Sequence, residues 1–184
     1  GAVNVPYAIP NLGFEVGPAD AKVRIGWLRS VCHVFHSFAV NCFSDEIAQA
    51  RGVDPRDNLL QLLGPDRTID VAALGLEATE NYPFETARLR HVIELVSERA
   101  GWGRELPPGH GLGIAAQYSF LSYIAAVVEV AVQEDGSWSV PRVDLAIDCG
   151  TYVNADRVRA QQEGAAIFGL SLARDSAITA AGGR

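Results

Sequence analysis

The spacing of apolar residues divides the chain into an extended start, a helical middle, a run of strands and a last helix. Phe35, Phe38, Ala39, Cys42, Phe43, Ile47 and Ala50 recur at helical intervals and predict one apolar helix stripe, ended by Gly52. On that stripe Cys42 reads as a small core residue. Asp54 followed by Pro55 predicts the cap and first turn of a short second helix, packed by Leu59, Leu60, Leu62 and Leu63 and stopped at Gly64. Residues 64–82 read as a surface loop. A third helix follows from about Phe84 to Ala100, with Leu89, Val92, Ile93, Val96 and Ala100 on one stripe and Gly101 as its stop. "GWGRELPPGHG" is a rigid connector.

Residues 1–25 read as extended chain, because Pro6 and Pro10 exclude a helix interior and suit edge or irregular strands. Residues 112–148 read as strands. "YIAAVVEVAVQ" and "WSVPRVDLAID" flank the turn signal "EDGS". Val128, Val130 and Val132 alternate on one face, where Val143, Leu145 and Ile147 of the partner strand can meet them. Asn154 suits the cap of a last helix over about Asp156 to Leu172. Strands, then helices, then strands and a helix give an α+β class rather than an alternating parallel sheet. The expected organisation is a single partial domain over residues 1–184. "ITAAGGR" reads as a short strand and a turn without its second strand, so the expectation is a fragment whose natural continuation lies beyond Arg184.

Composition narrows the function classes. The 184 residues fit one ordinary domain or a piece of a larger one, and 48% are apolar, enough for a core. A net charge of −7 argues against a nucleic-acid partner. No apolar run approaches the roughly 20 residues of a membrane span, and the longest, "YIAAVVEVAV", is broken by Glu129. Three cysteines are a poor basis for a disulfide framework, although one bridge is open to them.

The most chemically loaded stretch is "GWLRSVCHVFHSFAVNCFSDEIA", with Cys32, His33, His36 and Cys42. A zinc site is disfavoured: Cys42 falls on the helix stripe, adjacent Cys32 and His33 do not readily bind one ion alongside His36, and no CxxC or HExxH pattern is present. A Cys32–His nucleophile pair lacks an identifiable third group to orient it. "GLGIAA" matches a G-x-G-x-x-A fingerprint, but prolines precede it and an alternating strand pattern follows, so it is not a dinucleotide site. "RAQQEGAAIFGL" carries Gly164 and Gly169 inside a helical pattern, each costing roughly 1 kcal/mol against alanine. Tight helix packing or close approach of a ligand would explain them. Gln161, Gln162 and Glu163 stand just ahead of Gly164, where amide donors could hold a phosphate or a heterocycle. Arg29, in a loop before a helix, could fork onto a phosphate or carboxylate or simply be solvated.

Two stretches carry a family likeness. "GWLRSVCHVFHSFAVNCFSDEIAQARGVDP" resembles the molybdenum hydroxylases, the xanthine oxidase and aldehyde oxidoreductase family, and most of all its isoquinoline 1-oxidoreductase branch. Arg29 and Glu46 stand at the spacing of that family's R-G-F-G-G-P-Q loop and acidic pair. Ser30, Val31, Cys32, His33, Val34 and Phe35 replace the loop residues, and "WLRSV" is similar to the "W-R-S-V" of the isoquinoline-type branch. "DCGTYVNADRVRAQQEGAAIFGLS" resembles the D-x-G-x-x-x-N-P…G-Q-x-E-G-A…G-L stretch, with Ala155 in place of proline.

The resemblance implies an oxidoreductase large subunit that hydroxylates an aldehyde or an electron-poor N-heterocyclic carbon, with water as the oxygen source. It implies molybdopterin, as its cytosine dinucleotide, held in part by Arg29, Gln161 and Gly164. It implies a small [2Fe–2S] partner subunit, and three scattered cysteines could not supply a Cys₄ cluster here. The family's general base is a glutamate in a G-E-P-G-like motif, which this sequence lacks, so it is expected beyond residue 184 and no catalytic residue is assigned. Alone, the fragment is expected to be inactive, to hold cofactor poorly and to self-associate through exposed apolar surface. The alternative is a non-catalytic scaffold that keeps the same fold. A bacterial cytoplasmic or periplasmic location is left open.

Overall fold

The computed structural model describes residues 5–20, 24–70, 83–179 and 181–182. The chain divides into two compact units, Gly1–Cys149 and Gly150–Arg184.

In the first unit, α1 (His33–Arg51) ends at Gly52, whose left-handed φ of 64° closes the last turn on Ala48 and Gln49. Asp54 caps α2 (Pro55–Leu63) by accepting from the amides of Arg56 and Asp57. Gly64 stops α2 for two reasons: its φ is 71°, and a Cβ there would lie 2.4 Å from that of Ala8. The N-terminal segment crosses at that point, with the Ala8 amide donating to Leu62 O. Two short strands pair antiparallel: β1 (Thr68–Ile69) lies inside the region expected to be loop, and β2 (Phe84–Glu85) takes the place of the expected first turn of the third helix. The rest of that loop, residues 71–82, lies outside the described residues. Helix α3 (Thr86–Ala100) buries the expected stripe: Leu89, Val92, Ile93, Val96 and Ala100 are all at most 2% exposed.

Three long strands, β3 (His110–Ser119), β4 (Ser122–Val132) and β5 (Trp138–Asp148), form an antiparallel meander in the order β3-β4-β5. The arrangement is α+β, as the order of elements predicts. "GLGIAA" lies within β3, so it does not open a helix. The β4–β5 pairing joins Val128 to Val143, Leu145 to Ala126 and Ile147 to Ile124. These residues lie on the more open face. Tyr123, Ala125, Val127, Glu129 and Ala131 are the buried set. Both faces of β4 are apolar, so periodicity alone does not choose between them.

The largest correction concerns α1. Phe35, Phe38 and Phe43 are 59%, 69% and 62% exposed, and Cys42 is exposed rather than a core residue. The buried residues are Asn41, Ser44 and Ala48. Their polar groups are satisfied internally. Asn41 Oδ1 accepts from the Ala116 amide of β3 at 2.9 Å, and Asn58 Nδ2 of α2 donates to Ser44 O at 2.9 Å. Buried amides with partners cost little, so a polar face can be the inner one.

Glu129 is buried among these elements and receives Arg104 Nη2 at 2.5 Å and His110 Nδ1 at 2.6 Å. Hydrogen bonds from His110 and Arg104 hold its carboxyl below the usual carboxylate range. A depressed folded pKa contributes stability above the unfolded value that is lost as pH falls through the folded one. The stability difference between wild type and Glu129→Gln, from urea unfolding, should be full near pH ~6 and shrink below about pH 4. A difference constant over that range would contradict this role.

The β3–β4 connection has only two central residues, Phe120 and Leu121, with φ of 47° and 63°. Positive φ at both centres is the hairpin turn that favours Asn-Gly, and neither residue suits it. Leu121→Gly should therefore stabilise the protein by about 1 kcal/mol, measured as a raised urea midpoint at unchanged slope. Destabilisation would show that the Leu121 side chain outweighs its backbone strain.

The second unit is built on α4 (Ala155–Arg174), capped by Asn154, whose Oδ1 accepts from the Arg157 amide at 2.9 Å. None of its residues is fully buried. Among the described residues, no helix is long and apolar enough to cross a membrane.

Candidate functional site

Arg29 is exposed, at the centre of a double turn that leads into α1. The Val31 amide donates to Leu28 O at 2.9 Å, and the His33 amide to Ser30 O at 3.0 Å. Ser30 and Val31 carry φ of 69° and 50°. A β-branched residue at positive φ is a real outlier, at a cost of order 1–3 kcal/mol. The strain falls where the resembling family places glycine and its neighbour. Cys32 precedes α1 without a side-chain cap bond, and His33 begins the helix.

The Cys/His group does not converge. His33 Nδ1 lies 3.1 Å from Gln117 Nε2, whereas His36 lines a mainly apolar cleft that Gln117 also borders. That cleft, about 410 Å³ counting its open mouth, is bounded by Tyr7, Val40, Leu59, Ile93 and Gln117 among others. His36 Nδ1 is buried without a protein partner. Burial pushes both imidazoles below the usual histidine range. Partial desolvation of the sulfur, then the carboxylates of Asp45 and Glu46, push the Cys42 thiol up, away from a reactive thiolate. Among the described residues, no group of three or more His, Cys, Asp or Glu could hold a metal ion.

Gln161 and Gly164 lie three residues apart on α4, hence on one side of the helix. Arg29 belongs to the other unit. A Cβ built on Gly164 or Gly169 would meet nothing within 4 Å. Tight packing within the second unit therefore does not account for the two helix-interior glycines among the described residues. Gln162, two residues before Gly164 and therefore on a different side of the helix, has its Oε1 buried with no hydrogen-bond partner, an orphaned acceptor.

Residues 71–175 match the molybdopterin cofactor-binding domain family. The chain belongs to that family. The match covers α3, the β3–β4–β5 meander and α4. Side-chain amides and two interior glycines on α4 are chemically compatible with a large polar heterocycle. Three relatives agree in extent. The membrane-bound aldehyde dehydrogenase [pyrroloquinoline-quinone] of Gluconacetobacter polyoxogenes is 31% identical over 84% of this chain and 20% of its own length. A nicotinate dehydrogenase subunit of Pseudomonas putida is 30% identical over 90% of this chain and 14% of its own. The beta subunit of isoquinoline 1-oxidoreductase from Brevundimonas diminuta is 27% identical over 92% and 20%. The chain thus spans a fifth or less of the relatives it matches. All three are oxidoreductases by name, and two are named as subunits.

Two features of this molybdopterin-domain chain escape a reading of its sequence. The "SFLS" hairpin has no turn residue to announce it. The first residue of "DCG", Asp148, is gripped by Arg88 of α3 through two charge-assisted bonds of 2.7 and 2.6 Å. Nothing in their separation of 60 positions signals that pair.

Proposed function

We propose that this chain is part of the large subunit of a molybdopterin-dependent oxidoreductase that hydroxylates an aldehyde or an N-heterocyclic carbon with water as oxygen source. The observation that carries the reading is the match of residues 71–175 to the molybdopterin-binding family, which takes in a helix α4 carrying Gln161 and Gly164 on one side, with nothing within 4 Å of a Cβ built on Gly164. Gln161 would donate to the pterin, Gly164 would let it approach the backbone, and Arg29 would face an anionic group of the cofactor or substrate. When bound, the molybdenum cofactor, as the cytosine dinucleotide, supplies the two-electron oxidation. This chain's part is to bind and orient. Both units would belong to one partial domain, and electrons would leave through a small [2Fe–2S] subunit.

The sequence carries no G-E-P-G-like glutamate, so the chain alone should be inactive. The exposed Phe35, Phe38 and Phe43 face of α1 supports self-association of the isolated chain, and a clean monomer by light scattering would contradict it. The deciding experiment is metal and cofactor analysis of the natural polypeptide that carries this sequence, matured with its partners. Stoichiometric molybdenum with release of a cytosine nucleotide on acid hydrolysis is expected. Gln161→Ala should lower molybdenum content several-fold without loss of fold. Protein free of molybdenum and pterin would overturn the reading. A quinone in their place would favour the cofactor in the name of the aldehyde dehydrogenase relative.

A further inference from the structure

Four non-glycine residues among those described have positive φ: Ser30, Val31, Phe120 and Leu121. They fall in two loops far apart in sequence, the Arg29 turn and the β3–β4 hairpin tip. One residue joins the loops. The His33 ring meets that of Phe120 edge-on at 5.8 Å, and its Nδ1 lies 3.1 Å from Gln117 Nε2 of β3. His33 is also the last residue of the turn, since its amide closes on Ser30 O.

The chemistry of the contact fixes a protonation state. Gln117 Nε2 also lies 3.1 Å from Tyr118 O, a carbonyl that only accepts. The amide must therefore present its NH₂ on this side, with one hydrogen for Tyr118 O and one for His33. His33 Nδ1 is then the acceptor, which requires a neutral ring with its proton on Nε2. A flipped amide would set two oxygens against each other at Tyr118. A protonated ring would set two donors against each other at Gln117.

We infer that His33 is a positioning residue: in its neutral form it latches the strained Arg29 turn to the β3–β4 hairpin, and a proton on Nδ1 opens the latch. The role of the latched turn rests on the proposed part of Arg29 in the cofactor site. Burial and the described titratable neighbour of His33 agree in sign. Burial comes first, a positive charge on His36 one turn along α1 acts in the same sense, and both oppose protonation of the ring. Arg29 adds a positive charge to the turn itself. From β3 and the hairpin tip, the contacts are the uncharged Gln117 and Phe120. Neutral His33 therefore prevails at neutral pH, and acid should free the Arg29 turn while the fold persists.

Nitrogen NMR of the histidines and amide hydrogen exchange test this on the chain without cofactor. At neutral pH, His33 should show the Nε2-protonated tautomer. Protection of the Val31 amide should fall with protonation of His33, while the Val53 amide, bonded to Ala48 O at the far end of α1, serves as a reference. Gln117→Ala should remove Val31 protection at neutral pH and leave Val53 unchanged. Gln117→Glu supplies a carboxylate that prefers the charged ring, so the His33 midpoint should rise by about one pH unit or more and the turn should stay closed in acid. An unmoved midpoint in Gln117→Glu, or Val31 protection that tracks Val53 at every pH, would overturn the latch. Such a result leaves the cofactor reading standing, because molybdenum content tests that separately.

Discussion

Phe84→Ala should cost about 3–5 kcal/mol of folding stability, whereas Phe38→Ala should cost less than about 1 kcal/mol. Phe84 is 1% exposed. Its ring is stacked on Tyr118 at 4.0 Å and lies 5.8 Å from Tyr123, and it belongs to the cluster formed with Leu59, Leu63, Leu89 and Ile93. Truncation removes the transfer energy of the ring and leaves a cavity that these neighbours cannot close. Phe38 is 69% exposed on the outer side of α1, so little apolar surface returns to water when it is cut back. Urea unfolding of both variants gives the comparison. Equal losses at the two sites would mean that α1 is turned the other way in solution.

That contrast shows where the sequence was legible. Helix α3 follows its pattern because its apolar stripe, and little else, meets the sheet, so periodicity and burial coincide. The caps were equally readable: Asp54, Asn154, Gly52 and Gly101 act within one turn, and local chemistry decides them. Helix α1 misled because hydrogen-bonded Asn41 and Ser44 are as burial-tolerant as a leucine once Ala116 and Asn58 pair with them. That pairing joins residues 75 and 14 positions apart, which no local pattern encodes. The same limit applies to the site. Arg29, Gln161 and Gly164 could be proposed from motif spacing and from glycines that weaken a helix. The His33–Gln117 bond could not, because its partners are 84 positions apart. The strain at Phe120 and Leu121 was hidden because neither residue type advertises a turn.

The second large effect is expected at the Arg88–Asp148 pair. Arg88 forks onto both oxygens of Asp148 at 2.6 and 2.7 Å and places its guanidinium 4.4 Å from the centre of the Tyr123 ring. Tyr123 pairs in register with Asp148, and its hydroxyl donates to Pro83 O and accepts from the Glu85 amide. One arginine therefore ties α3, β4 and β5 together at the sheet edge where the first unit ends. The Asp148 hydrogen bond is the main cause of a guanidinium pKa raised even above its ordinary value, so the charge is permanent. Both side chains are about 30% exposed, which places the pair between a screened surface bridge and a buried one. Arg88→Ala should lose about 2–3 kcal/mol, the scale of hydrogen bonds to a charged group plus the ring contact. Arg88→Lys should recover only part of that loss, because an ammonium cannot fork onto both oxygens. A double-mutant cycle with Asp148→Asn should return a coupling of at least ~1 kcal/mol with weak salt dependence. Additive losses would show that the two residues act separately, and that the aspartate of "DCG" stands at the exit from β5 for a reason other than holding that strand's end.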